Sequence, residues 1–142
     1  METQIVRTGP SQAGLLRRVS EDVFDEEIDT GRLAAYLAMP GNLMVLAVSG
    51  RDVVGQARGV VHRHPDLPTE LYIDNLGVTP DRRREGIASR LLDELVAWGI
   101  EQGCEEAWVG TEVDNEAARS LYERRGSDGQ TFVLYFYAFD ET

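Results

Sequence analysis

Apolar and polar positions change period several times along this chain, and each change marks an element. Thr3 to Thr8 alternates as a first strand does, and Gly9-Pro10-Ser11 stops it. Ser11 is placed to cap a helix to about Val19, with Leu15, Leu16 and Val19 on one face. Asp29 or Thr30 caps a second helix to about Ala38, which offers Leu33, Ala34, Tyr36 and Leu37 for burial and ends at Pro40-Gly41. Asn42 to Ser49 and Val53 to His62 or His64 form a hairpin through Gly50-Arg51-Asp52, and Gly55 predicts a bulge or a close backbone approach. After a loop at His64 to Pro68, Glu70 to Val78 is a strand. Its polar Asp74 and Asn75 imply either a site opening there or an edge facing solvent.

Beyond Pro80, the residues Ile87, Leu91, Leu95 and Trp98 recur at helical spacing, and Gln102-Gly103 closes that helix. Glu106 to Val113 reads as a strand. Asp114 or Asn115 caps a helix from Glu116 to Arg125, which Gly126 ends, and Thr131 to Phe139 is expected as a fully buried strand.

The 142 residues suit one domain over residues 1–142. No apolar run approaches the roughly 20 residues of a membrane span, and Met1 to Pro10 lacks the basic start and apolar core of a signal peptide, so the expected location is cytoplasmic. The net charge of −11 argues against nucleic-acid and anionic-membrane partners and favours cationic ones. All fourteen basic residues are arginine. The lone Cys104 has no disulfide partner and is expected as a small buried hydrophobe, and no metal-ligand cluster is expected.

Two stretches carry candidate chemistry. Arg82, Arg83 and Arg84 precede Gly86 at the start of the long helix, where the macrodipole already places positive charge. Gly86, Ala88 and Ser89 are small enough for close approach to the orphan N–H groups, so a phosphate or pyrophosphate fits this turn. Glu21 to Asp29 holds six carboxylates in nine residues, interrupted by Val23, Phe24 and Ile28. It is either a solvated loop anchored by those apolar residues or part of a site for a polyamine-like substrate. His62 and His64 share a strand face, as surface or packing residues or as catalytic ones.

The element order, the Arg83-Arg84-Glu85-Gly86-Ile87-Ala88 turn, Leu76-x-Val78-x-Pro80 upstream and Asn115-x-x-Ala118-x-x-x-Tyr122-x-x-x-Gly126 downstream resemble the GCN5-related N-acetyltransferase (GNAT) superfamily over nearly the whole chain. The resemblance implies an α/β fold with a mixed α+β sheet, mostly antiparallel, a splayed pair of parallel strands and about four helices. It also implies acetyl-CoA as co-substrate. Leu76, Gly77 and Val78 would pair with the pantetheine arm as an added strand, the Val78 amide polarising the thioester carbonyl. Arg83, Arg84, Gly86, Ile87, Ala88 and Ser89 would hold the pyrophosphate. Asn115 would hydrogen-bond the pantetheine, and Tyr122 would donate a proton to the CoA thiolate, unless it serves only as packing. Asp74 is the first candidate general base, Glu112 the second, with His62 or His64 behind them and an ordered water as the alternative.

Within the superfamily the chain is most similar to the small aminoglycoside 3-N-acetyltransferases of the type I class. The resembling features are Phe24 in the acidic segment, Leu71 to Val78, the turn at 83 to 88, and one long strand after Tyr122. Those enzymes carry Tyr-Asp where this chain has Asp74-Asn75, which in a regular strand moves the carboxylate to the other face. Gly126-Ser127 replaces their Gly-Phe. The resemblance implies a small cationic amine as substrate, held by Asp25, Glu26, Glu27, Asp74 and Asn75. The alternatives are acetylation of a protein N-terminus or lysine, and a non-catalytic acyl-CoA sensor. The strand at Thr131 to Phe139 is apolar enough to permit a homodimer.

Overall fold

The computed structural model describes residues 2–139, and the chain divides after Gly110 into two compact units. The first holds a five-stranded sheet in sequence order: β1 (Thr3–Thr8), β2 (Asn42–Ser49), β3 (Asp52–His62), β4 (Glu70–Val78) and β5 (Glu106–Val109). Neighbours from β1 to β4 are antiparallel, and β4 and β5 are parallel. This is the mixed, mostly antiparallel sheet that the resemblance implies.

Helix α2 (Ile87–Glu101) connects the parallel pair and covers one face of the sheet. Ile87, Leu91, Leu92, Leu95 and Gly99 are its buried residues, and Trp98 is half-buried. Contact is close where glycine leaves room. A methyl at Gly55 would meet Leu91, Ile87 and the Gly77 carbonyl at 3.2–3.3 Å, which bears out the expected close approach there. The β2–β3 register also shifts between Ala47 and Val48, opposite that glycine. Gly103, at φ 92°, ends α2 in the left-handed conformation, as expected.

The opposite face carries a 3₁₀ helix (Pro10–Arg17), the acidic segment and α1 (Thr30–Ala38). Val23, Leu16, Met44, Leu46 and Val53 form the buried centre there, with Phe24, Ile28, Leu33, Tyr36 and Leu37 packed around it. The α-helix expected from Ser11 is thus a 3₁₀ helix. Gly14 in its middle and a single buried residue, Leu16, give the wider helix little support. Asp29 caps α1 by accepting from the Arg32 N–H at 2.9 Å. No residue of α1 is fully buried, because only its edge meets the core.

Strand β5 stops at Val109, four residues short of the expected Val113; Glu106, Ala107 and Trp108 are exposed, so little packing extends it. In the second unit, Asn115 caps α3 (Glu116–Arg124) and Gly126 follows at φ 91°. The buried strand expected at Thr131 to Phe139 does not form. Its seven large apolar side chains are 58–86 % exposed, and no described segment pairs with its backbone. Aromatic and β-branched composition expresses a preference for pairing, and a strand also needs a partner ladder.

Candidate functional site

Strand β4 changes character at Asp74. Ile73 pairs with Gly59 and Asn75 with Arg58, so Asp74 is an extra residue, a β-bulge. Leu71 packs toward α2, whereas Asn75 and Gly77, four and six residues on, face the acidic segment. The bulge has flipped the alternation. The rule that one residue's shift moves a carboxylate to the other face holds for a regular strand, and this strand is bulged: Asp74 is exposed in the bulge and Asn75 faces the acidic segment. Pairing with β5 spans Glu70 to Ile73, and among the described residues no strand pairs with Asp74 to Val78 on that edge.

The acidic segment is ordered against this open half. Val23 is 1 % exposed, and its carbonyl accepts from Gln56 Nε2 at 3.1 Å. A methyl on Gly77 would land on that same carbonyl oxygen. The same Gln56 nitrogen donates to Asn75 Oδ1 at 2.6 Å, and Asn75 Nδ2 reaches Asp25 Oδ2 at 3.5 Å. Leu16, Phe24 and Ile28, together with Asp25, Glu26 and Glu27, line a cavity of about 560 Å³. Anchored apolar residues and clustered carboxylates thus occur together in the segment.

Three residues that the sequence reading did not single out as site residues gather on this face. The Arg58 guanidinium lies 5.9 Å from the centre of the Phe24 ring, and its buried Nε has no hydrogen-bond partner among the described residues. Burial pushes the Tyr36 phenol up to about 12, with Arg58 lowering it and Asp74 raising it. The Tyr36 hydroxyl is buried without a partner among the described residues. Only the cross-strand register places Arg58 opposite Asn75, so no local pattern could have found this group.

At the start of α2, Arg84 (φ 67°) and Gly86 (φ 78°) are both left-handed, and no side chain caps the helix. The first helical hydrogen bond runs from the Arg90 N–H to the Gly86 carbonyl, leaving the Ile87 and Ala88 amides at the open end. A left-handed arginine costs roughly 1 kcal/mol or more, a strain typical of ligand-binding turns. The arginines are not three equal free charges. Arg82 donates to Glu85 at 3.0 and 3.1 Å and to Thr3 at 2.7 Å, and Arg83 Nε donates to the Val78 carbonyl at 3.1 Å. The open edge of β4, the uncapped amides and the space above Gly86 fit a pantetheine and a pyrophosphate.

The second unit holds Glu112, Asn115 and Tyr122. Glu112 is exposed. Asn115 Oδ1 accepts from the Ala118 N–H at 3.0 Å, which leaves its Nδ2 donor for a ligand. Burial raises the Tyr122 phenol above its ordinary value, which keeps it protonated at neutral pH. His62 and His64 are gathered at Glu70, four residues from Asp74 and roughly 13 Å along the strand, away from the candidate base. Cys104 is half-buried rather than fully buried, and desolvation raises its thiol.

Residues 14–126 match the Acetyltransferase (GNAT) family, and the chain belongs to that family of N-acetyltransferases. N-alpha-acetyltransferase 30 of Xenopus laevis is 31% identical over 100 residues, which cover 69% of this chain and 37% of that protein. The match spans 37% of that protein and 28% of its counterparts from Homo sapiens and Mus musculus. An aminoglycoside acetyltransferase, meta-AAC0020 from an uncultured soil metagenomic sample, solved with sisomicin, superposes with a TM-score of 0.81 over 98% of this chain and 97% of that one at 20% identity. Aminoglycoside N-acetyltransferase AAC(6')-Iy in complex with CoA gives 0.79 over 96% and 95% at 18% identity. At these identities the structures establish the fold. Among the described residues no helix is long and apolar enough to cross a membrane.

Proposed function

We propose that this chain is an acetyl-CoA-dependent N-acetyltransferase acting on a primary amine of a small cationic substrate, an aminoglycoside in the first instance, and that residues 1–142 form one acetyltransferase domain in the cytoplasm. The observation that carries this reading is the bulged, open half of β4 with the acidic segment docked on it and the uncapped start of α2 beside it.

When bound, acetyl-CoA supplies an acetyl group activated as a thioester. Amides from Ile87 to Ser89, with Arg83, Arg84 and the close approach allowed at Gly86, hold its pyrophosphate. Leu76, Gly77 and Val78 offer the backbone edge for its pantetheine, the Val78 amide serves the thioester carbonyl, and Asn115 Nδ2 provides a further donor. Asp25, Glu26 and Glu27 attract the cationic amine, and Asn75, held by Gln56, orients it. Asp74, exposed in the bulge, takes the amine proton directly or through water, with Glu112 as the alternative base. As the N–C bond forms and the C–S bond breaks, the protonated Tyr122 supplies the proton that the departing thiolate takes.

A thiol-release assay over aminoglycosides, polyamines and peptides tests the reading. Turnover with a cationic amine is expected, and Tyr122→Phe should lower kcat about 100-fold while leaving the KM for acetyl-CoA nearly unchanged. No turnover with any cationic amine, together with normal CoA binding, would replace it with the acyl-CoA sensor. Sequence resemblance favours the 3-N position, whereas AAC(6')-Iy is named as a 6'-type enzyme; NMR of the product decides between them, and only activity in cells exposed to the drug would make antibiotic resistance its role.

A second reading, acetylation of a protein N-terminus, is supported by the 31% identity to N-alpha-acetyltransferase 30 and by Arg58, whose buried Nε, without a partner among the described residues, suits a peptide carbonyl beside the amine. Acetylation of peptides but not of aminoglycosides would select it. The exposed aromatic segment at Thr131 to Phe139 supports a homodimer, testable by light scattering.

A further inference from the structure

His62, at the end of β3, pairs across the ladder with Glu70, the first residue of β4, and His64 follows two residues later. His64 Nε2 lies 2.8 Å and His62 Nδ1 3.5 Å from the same oxygen, Glu70 Oε1, and the imidazole centres are 4.2 Å apart. One ligand atom from each residue falls within 4.8 Å of the other two. Around a tetrahedral Zn²⁺ with bonds of about 2.0–2.2 Å, ligand atoms stand roughly 3.3–3.6 Å from one another; His62 Nδ1 and Glu70 Oε1, at 3.5 Å, already have that spacing, and a small side-chain rotation brings His64 Nε2, at 2.8 Å, to it. His64 and Glu70 are largely covered, at 18 % and 21 % side-chain exposure, while His62 is open at 55 % and leaves a side for water.

We propose that His62, His64 and Glu70 form a binding site for a borderline divalent transition metal, Zn²⁺ foremost. Two imidazoles and one carboxylate select such ions over Mg²⁺ or Ca²⁺, which prefer all-oxygen shells. The ligands bracket the loop between β3 and β4, so the ion acts as a clip on that end of the hairpin. Roughly 13 Å of strand separates it from Asp74, and it takes no part in acetyl transfer.

The test uses the full, tag-free chain after treatment with EDTA, titrated calorimetrically with Zn²⁺ and followed optically with Co²⁺. One ion per chain with a dissociation constant on the order of 10 µM or tighter is expected, together with visible Co²⁺ bands of a low-coordinate site. Zn²⁺ at a hundredfold excess over that constant should raise Tm by roughly 5–10 °C, and Mg²⁺ should not. His62→Ala and Glu70→Gln should each weaken Zn²⁺ binding at least about tenfold, and His62→Ala with His64→Ala should abolish it. Absence of Zn²⁺ binding up to about 1 mM, or binding that survives the double substitution, overturns the proposal. Neither result bears on acetyl transfer, which the thiol-release assay measures separately.

Discussion

The two ends of β4 are built from the same strand by opposite means. From Glu70 to Ile73 it pairs on both edges, with β3 and β5, and its alternation is regular. From Asp74 to Val78 it pairs only with β3; one extra residue has flipped its faces, and the acidic segment sits on Gly77. The doubly paired end has its main-chain groups satisfied and offers only side chains, the imidazoles and carboxylate around Glu70. The other end has a backbone edge with no strand paired to it among the described residues, and such an edge is what an extended ligand can use. A single bulge separates a half of the strand suited to side-chain ligation from a half suited to main-chain recognition.

The largest effect is expected at Gly77→Ala, whose methyl meets the Val23 carbonyl, a backbone atom that cannot swing aside. Undocking the acidic segment should cost about 3 kcal/mol in urea unfolding and abolish turnover of cationic amines. Retention of full stability would show that the docking is loose. Next, Asp74→Asn should lower kcat/KM for the amine about tenfold, roughly 1.4 kcal/mol, without changing the KM for acetyl-CoA; unchanged kcat/KM would assign the base to water or Glu112.

At the doubly paired end, Gly59→Ala brings a methyl to 2.9 Å from Leu71 Cδ1 and 3.0 Å from Leu95 Cδ1. Those are the ends of flexible side chains, so a loss of about 1 kcal/mol with activity preserved is expected. A cost equal to that at Gly77 would erase the distinction between the ends. The smallest effect belongs to Tyr36→Phe, which removes a buried hydroxyl with no hydrogen-bond partner among the described residues and should leave stability unchanged or raise it by up to about 1 kcal/mol. Unfolded tyrosine releases its proton near pH 10, whereas folded Tyr36 holds it to about pH 12. Its contribution is therefore complete below pH 10 and lost as pH rises through 12, and Tyr36→Phe should flatten that alkaline loss in pH-dependent unfolding.

Much of the fold was legible because its signals are local. The spacing of Ile87, Leu91 and Leu95, the caps at Asp29 and Asn115, and the left-handed glycines at 86, 103 and 126 all act within one or two turns of helix. The polar pair Asp74-Asn75 announced that something was unusual in β4, yet only pairing with β3 reveals which residue is extra. Phe24, Arg58 and Tyr36 come from three elements, and Glu70 meets His62 only through the ladder, so neither group leaves a mark at any fixed spacing. Thr131 to Phe139 was misread for the converse reason: its composition is intrinsic, but its partner is not.

By itself, then, the sequence determined the order and kind of most elements, the anion-suited start of α2 and the acidic surplus, because propensity, capping and charge are properties of neighbouring residues. The tertiary structure alone decided which way Asn75 and Gly77 face, that Val23 docks on Gly77, and that two histidines share one carboxylate. Those facts depend on register, and register is set by which strands meet, a choice made by the packing of the whole sheet rather than by any one segment.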